Sequence, residues 1–515
     1  MLVKTYGSAV YGIDATTITI EVNISGGTKY YIVGLPDSAV KESLRRIESA
    51  LSASGFRMPR QKIVVNLAPA DLRKEGSAYD LAIAVGILAS SKQISDQLLG
   101  DFLILGELSL DGGLLPVKGV LPIAMQAARD GFKGIILPLA NAPEAAVVSG
   151  LAVYGMSHLS EVTGFLDGTC TPPRIAVDVN EKFLRNVHND ELDFADVQGQ
   201  ENIKRALEIA AAGGHNAILI GPPGAGKTML AKRLPTILPP LSLEESLETT
   251  KIHSVAGKLG STESLLTTRP FRAPHHTISD VALVGGGPSP QPGEISLAHN
   301  GVLFLDELPE FKRSALEVMR QPLESRCITI SRARFTIQYP ASFILIAAMN
   351  PCPCGFYNHP DKACLCNPGT VQKYLSRISG PLMDRIDLHV EVTPVHVEEL
   401  TSSRPTTRSA DIRSRVSAAR KIQKNRFKSS PEIHCNAQMS PAQARRICTI
   451  DRSGQTLLKT AMHRLGLSAR AYDRILRVSR TIADLDDSVE IETRHLAEAI
   501  QFRSLDRNSW TGVGG

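Results

Sequence analysis

The chain has 515 residues, 43% apolar and 21% charged, with a net charge of +5 and eight cysteines. That length exceeds what one core organises and predicts about three domains. The composition excludes fibrous and disordered classes, and no uninterrupted apolar run is long enough to span a bilayer. Residues 1–12 lack the basic and then apolar pattern of a secretory signal, so a cytoplasmic location is expected, where disulfides are disfavoured.

Residues 1–165 alternate strand and helix patterns. Residues 16–24 alternate with period two, and 30–33 and 63–67 read as further strands. Asp37 predicts an N-cap ahead of Val40, Leu44, Ile47 and Leu51 at helical spacing, with Gly55 as the stop. Residues 79–89 read as a second helix, 102–117 as a hairpin turning at Asp111 and Gly112, and 119–130 as a helix before the strand 134–137. Residues 106–141 (GELSLDGGLLPVKGVLPIAMQAARDGFKGIILPLAN) resemble the C-terminal part of the Lon-type protease domain, of the ribosomal-S5-domain-2-like group. Residues 74–80 (KEGSAYD) resemble the segment that holds its nucleophile. Leu121 stands where that resemblance puts the catalytic lysine, and Ser77 only approximates the serine. A hydroxyl without a base beside it is a poor nucleophile, so an α+β docking module is expected rather than an active Lon-type protease.

Residues 166–190, with Pro172 and Pro173, lose periodicity and read as a linker. The next domain, 191–395, carries the pattern G-x-x-x-x-G-K-[ST] as Gly221, Pro222, Pro223, Gly224, Ala225, Gly226, Lys227 and Thr228. An apolar strand precedes it and a helical run follows. Such a loop points backbone N–H groups at phosphate oxygens, its lysine reaches the β and γ phosphates, and its hydroxyl holds Mg²⁺. ATP is the implied ligand. A second apolar strand, 302–305, ends in Asp306 and Glu307. Asp306 would support Mg²⁺ with Thr228, and Glu307 would polarise the attacking water.

The strand 342–349 ends in Asn350, and residues 379–387 read SGPLMDRID. These segments resemble AAA+ ATPases. The resemblance implies that Asn350 senses the γ-phosphate, that Arg385 (with Arg377 as second choice) reaches a neighbouring subunit's site, and that Arg470, in LSARAYDR, contacts phosphate from a C-terminal helical lid, 396–515. With FRAPHH (271–276), GGGP (285–288) and GEISLAHN (293–300), residues 190–505 resemble the magnesium-chelatase-like branch of AAA+ proteins, and the whole chain resembles the ComM (YifB) family. That family resemblance implies a homo-hexameric DNA helicase promoting branch migration when incoming single-stranded DNA is recombined in natural transformation, with recombination proteins as further partners. The other readings are the motor subunit of a metal chelatase and an ATP-driven protein remodeller.

Residues 328–339 (ITISRARFTIQY) alternate like a hairpin and offer Arg332 and Arg334 beside Phe335 to a DNA backbone. Residues 251–258 are a second pore-loop candidate, and the adjacent His275 and His276 are read as packing and hydrogen-bonding residues. Between 401 and 430 nine Lys or Arg face one acid, which suits either a polyanion or a solvated face. Cys352, Cys354, Cys364 and Cys366 frame a short loop and suit a structural Zn²⁺, although C-x-C is tighter than the usual ligand spacing. The expected fold class is therefore multidomain α/β: a Lon-like α+β domain, a P-loop AAA+ α/β domain and a helical lid.

Overall fold

The computed structural model describes residues 1–179, 181, 183, 192–260, 263–287, 290–332, 335–357, 359, 362–394, 406–430 and 432–503, with only the backbone of Arg332 and Phe335. It forms two compact units, residues 1–185 with 243–267, and residues 186–242 with 268–515.

The first unit is built on a seven-stranded mixed sheet. Its strands are β1 (Leu2–Tyr11), β2 (Asp14–Ser25), β3 (Tyr30–Val33), β4 (Lys62–Ala68), β5 (Phe102–Ile104), β6 (Gly134–Pro138) and β7 (Ala152–Met156), in the order β3-β4-β2-β1-β5-β6-β7. β2 alternates buried and exposed side chains along its length, as a one-sided sheet requires. Asp37 caps the helix Ser38–Ala53, its carboxylate accepting from the Val40 N–H at 2.8 Å. The helix Asp80–Ser90 is buried throughout.

Two expectations change here. The stretch 102–117 is not one hairpin. Phe102–Ile104 pairs in parallel with β1 and β6, and the turn at Gly112 closes only the short ladder Glu107–Leu108 with Leu114–Leu115. The cause is burial on both faces: Phe102, Leu103, Ile104 and Leu105 are all core residues, which suits a central parallel strand. The segment 251–258 is the end of a helix and the turn after it, not an extended loop. Lys251 lies in the helix Leu243–Val255, which packs in the first unit, where Ser254 hydrogen-bonds the buried Glu144 carboxylate.

The second unit has a five-stranded, all-parallel sheet: β8 (Ala217–Ile220), β9 (Phe271–Arg272), β10 (Val302–Leu305), β11 (Ile344–Met349) and β12 (Leu388–Glu391), in the order β9-β10-β11-β8-β12. β8, β10 and β11 are buried at every position, which explains their uninterrupted apolar sequences. The helices Glu201–Gly213 and Lys227–Ile237 and the C-terminal helices Ser409–Arg426, Arg452–Leu465, Ala469–Leu485 and Thr493–Gln501 contribute to one continuous apolar core with that sheet. This helical region absorbs much of the basic run. Arg415 pairs with Glu208 at 2.6 Å, Arg420 donates to the Ala211 carbonyl and Arg426 binds the buried Asp484. A hairpin, Cys327–Arg332 with Phe335–Pro340, is inserted before β11.

Candidate nucleotide site

In a parallel sheet, ligands bind beyond the carboxyl ends of the strands. Because β11 lies between β8 and β10, the order of strands sets Asn350 between the phosphate loop and the acidic pair. Gly221 has to be glycine, since a Cβ there would stand 2.2 Å from the Val392 carbonyl oxygen of the neighbouring strand end. Gly224 and Gly226 take φ of 79° and 82°, and Gly226 opens the helix Lys227–Ile237. The loop thus ends on a helix N-terminus, where free N–H groups and the helix dipole favour an anion.

Lys227 is 8% exposed. Its Nζ donates to the carbonyls of Gly221 and Pro222 at 2.7 and 2.9 Å and to Asn350 Oδ1 at 3.1 Å. Burial lowers its pKa and Asp306 opposes that effect, so a bound polyphosphate would supply the charge the cation lacks here. Thr228 Oγ1 donates to Asp306 Oδ2 at 2.6 Å. A hydroxyl and a carboxylate converging in this way, beside an anion-binding loop, fit Mg²⁺ carried by a nucleotide.

Glu307 follows directly, with its carboxylate 58% exposed and its backbone left-handed at φ 51°. That conformation costs a non-glycine residue about 1–3 kcal/mol and recurs at functional positions. The Asp306 carboxylate accepts the Glu307 N–H at 2.9 Å, which fixes the turn. His276 Nδ1 lies 3.3 Å from Glu307 Oε2, and the His275 and His276 rings sit 4.1 Å apart. The sequence reading makes His276 a packing and hydrogen-bonding residue without naming its partner. Sheet order supplies that partner: the FRAPHH segment begins on β9, the strand beside β10, which ends in the acidic pair. The same segment is anchored by a bidentate pair, Arg272 to Glu294 at 2.6 and 2.7 Å, which joins it to the GEISLAHN motif.

Arg385 is 7% exposed and is held within its own chain, by Glu324 at 2.6 Å and the Pro381 carbonyl at 2.6 Å. Arg377 is 52% exposed and pairs with Glu310. Arg470 is exposed in the first turn of Ala469–Leu485. One turn on, Arg474 binds Asp387, which also accepts from His215 at 3.3 Å. Burial would push the Asp387 carboxyl up, but Arg474 and His215 outweigh it and hold it below the usual carboxylate range. Of the DNA candidates, Arg334 lies outside the described residues and Arg332 is placed by its backbone alone, at the tip of the hairpin.

The sulfurs of Cys352, Cys354, Cys364 and Cys366 lie within 4.8 Å of one another, with separations of 3.3, 3.5 and 3.7 Å among the first three. Four sulfurs about 2.3 Å from one zinc would stand about 3.8 Å apart, so the cluster is compatible with a tetrahedral metal.

In the first unit, Leu121 is buried and its N–H donates to Glu144 Oε1 at 2.8 Å. Ser77 donates to the Glu107 carboxylate, and the buried Lys74 ammonium donates to the Pro69 and Leu72 carbonyls.

A phosphate loop at the head of a parallel sheet, an acidic strand two places away and a polar residue between them define a P-loop chain of the AAA+ class. Sequence comparison agrees: residues 193–400 match the family described as magnesium chelatase, subunit ChlI, residues 20–141 match subunit ChlI of Mg-chelatase, and residues 406–503 match its C-terminal region. The chain is 45% identical over 505 residues to "Uncharacterized protein YifB" of Escherichia coli, covering 97% of this chain and 96% of that one. It is also 45% identical over 505 residues to "Competence protein ComM" of Haemophilus influenzae, covering 98% and 97%. A more distant relative is the peroxisomal Lon protease homolog 2 of Caenorhabditis elegans, 30% identical over 145 residues, 27% of this chain and 18% of that one. The chain belongs to the ComM/YifB family of magnesium-chelatase-like proteins.

Proposed function

We propose that this protein is an ATP-hydrolysing AAA+ DNA helicase that works as a hexamer and drives branch migration while incoming single-stranded DNA is recombined. The observation that carries the ATPase is the convergence of Lys227, Thr228, Asp306 and Asn350 on one phosphate loop. Thr228 and Asp306 would hold Mg²⁺, Glu307 would orient water, and Asn350 and Arg470 would report the nucleotide state. Arg385 would act across a subunit boundary by exchanging Glu324 for the transferring phosphate, with the more exposed Arg377 as the alternative donor.

The DNA part is supported by the likeness to a relative named for competence and by the hairpin inserted before β11, whose Arg332 and Arg334 suit a sequence-independent grip on phosphates. The four cysteines would hold a structural Zn²⁺, since four sulfur ligands leave no open position for catalysis. No proteolysis is expected of the first unit, because a buried leucine stands in the lysine's place and the partner of the Ser77 hydroxyl is the Glu107 carboxylate, not a lysine amine. A cytoplasmic site of action fits, and among the described residues no helix is long and apolar enough to cross a membrane. ATP turnover measured with and without single-stranded DNA tests this reading. Stimulation by DNA is expected, whereas indifference to DNA would favour a chelatase subunit or a protein remodeller.

A further inference from the structure

The cysteine loop and the phosphate loop are built into each other. β11 runs straight into Asn350, Pro351 and Cys352, so the first sulfur ligand is two residues from the side chain that Lys227 touches. The Met349 carbonyl accepts the Gly221 N–H at 3.2 Å, which ties the start of the phosphate loop to the same strand end. Gly355, inside the cysteine loop and next to Cys354, is buried against Pro223: a Cβ there would come 2.5 Å from Pro223 Cδ. Gly355 also has φ 84° and donates its N–H to the Cys352 carbonyl at 3.0 Å, so the turn that makes this contact is the turn that brings the first two sulfurs together.

We propose that a zinc ion on Cys352, Cys354, Cys364 and Cys366 acts as a clasp on the nucleotide site, and that its loss releases Pro223 and Asn350 and weakens ATP binding. This rests on the ATPase reading and on the zinc assignment above. Among the described residues the loop shows one fully buried side chain, Cys352, and otherwise lacks an apolar core of its own. The cross-link made by the metal is therefore what holds the Gly355 turn against the phosphate loop. A loop closed only one-tenth of the time would lower the apparent nucleotide affinity about tenfold, because affinity scales with the competent fraction.

The test uses the full chain and two readouts, zinc content by atomic emission and affinity for a fluorescent ATP analogue with Mg²⁺. The expected result is one zinc per chain, a loss of about tenfold in affinity when a mercurial and a chelator strip the metal, and recovery when thiol and Zn²⁺ are restored. Cys364→Ser should lose zinc and affinity together. Gly355→Ala keeps all four sulfurs but strains the turn that brings the first two together, so zinc and analogue affinity should fall together and recover together at raised Zn²⁺, which preserves the test if the cysteine variant fails to fold. Protein that carries no zinc and takes up none would overturn the metal site. Zinc bound and removable with unchanged affinity would overturn the clasp alone. Absence of nucleotide binding in every form would overturn the ATPase reading and this proposal with it.

Discussion

His276 Nδ1 stands 3.3 Å from Glu307 Oε2, so the carboxylate assigned to the attacking water is already held by a side chain from the neighbouring strand's loop. The left-handed backbone at Glu307 aims the carboxylate, and the imidazole fixes where it rests. Removing the ring should loosen that aim without touching the phosphates. His276→Ala is expected to lower kcat about 10- to 100-fold, the scale of a misplaced reacting group, with nucleotide affinity preserved. Steady-state hydrolysis paired with equilibrium binding checks this. An unchanged kcat would return His276 to a packing role.

The ammonium of Lys227 is buried among carbonyls and Asn350, and its pKa is lowered because burial disfavours the charge. Lys227→Ala should abolish hydrolysis and weaken nucleotide binding. Asn350→Ala should spare binding more than turnover, since the role proposed for its amide is contact with the γ-phosphate alone. Titrations with ATP and ADP analogues separate the two, and equal losses for both nucleotides in the Asn350 variant would remove its sensing role.

Asp387 is the buried anchor between the start of β12 and the helix Ala469–Leu485, paired with Arg474 and His215. Breaking a buried pair by removing one partner strands the other charge, typically at about 3–5 kcal/mol. Arg474→Ala should therefore destabilise the second unit strongly at neutral pH. Its folded pKa is depressed, so the stability the carboxylate contributes is present above its unfolded value near pH 4 and is lost as pH falls below it. The gap between wild type and variant should narrow in acid. Thermal or urea denaturation at several pH values measures it, and a gap independent of pH would contradict the assignment.

Replacing Arg332 and Arg334 together with alanine should weaken DNA binding and flatten its salt dependence, since each lost phosphate contact removes about one unit of slope. Nucleotide binding should stay intact. DNA affinity across a salt series gives the answer, and an unaltered slope would take the hairpin out of the DNA path.

Much of the nucleotide site could be read from the chain because its parts are local. A glycine loop, an acidic strand end and a strand-terminal Asn each carry their chemistry within a few residues. Parallel strands buried on both faces also announce themselves as apolar runs, as β8, β10 and β11 do. What escaped was set by distant packing. Arg385 pairs with Glu324, which lies well upstream of SGPLMDRID, and no spacing rule pairs them. Residues 243–267 belong to the first unit although the chain on either side of them belongs to the second, and the buried face of their helix, with Ser246, Thr249, Thr250 and His253, is too polar to announce a core. His276 met Glu307 through sheet order, and the arginines of Ser409–Arg426 met acids and carbonyls through helix packing. In the first unit, Phe102–Ile104 paired with β1 and β6 instead of folding back, because burial on both faces outweighed the local turn signal.

The most direct test of the central claim is a three-strand branch-migration assay with the purified protein and plasmid-length DNA, with ATP, without it, and with Glu307→Gln. The account predicts heteroduplex extension only with ATP and the wild-type chain. Extension that proceeds equally without ATP or in the Glu307 variant, or none at all in the presence of robust ATP turnover, would contradict it.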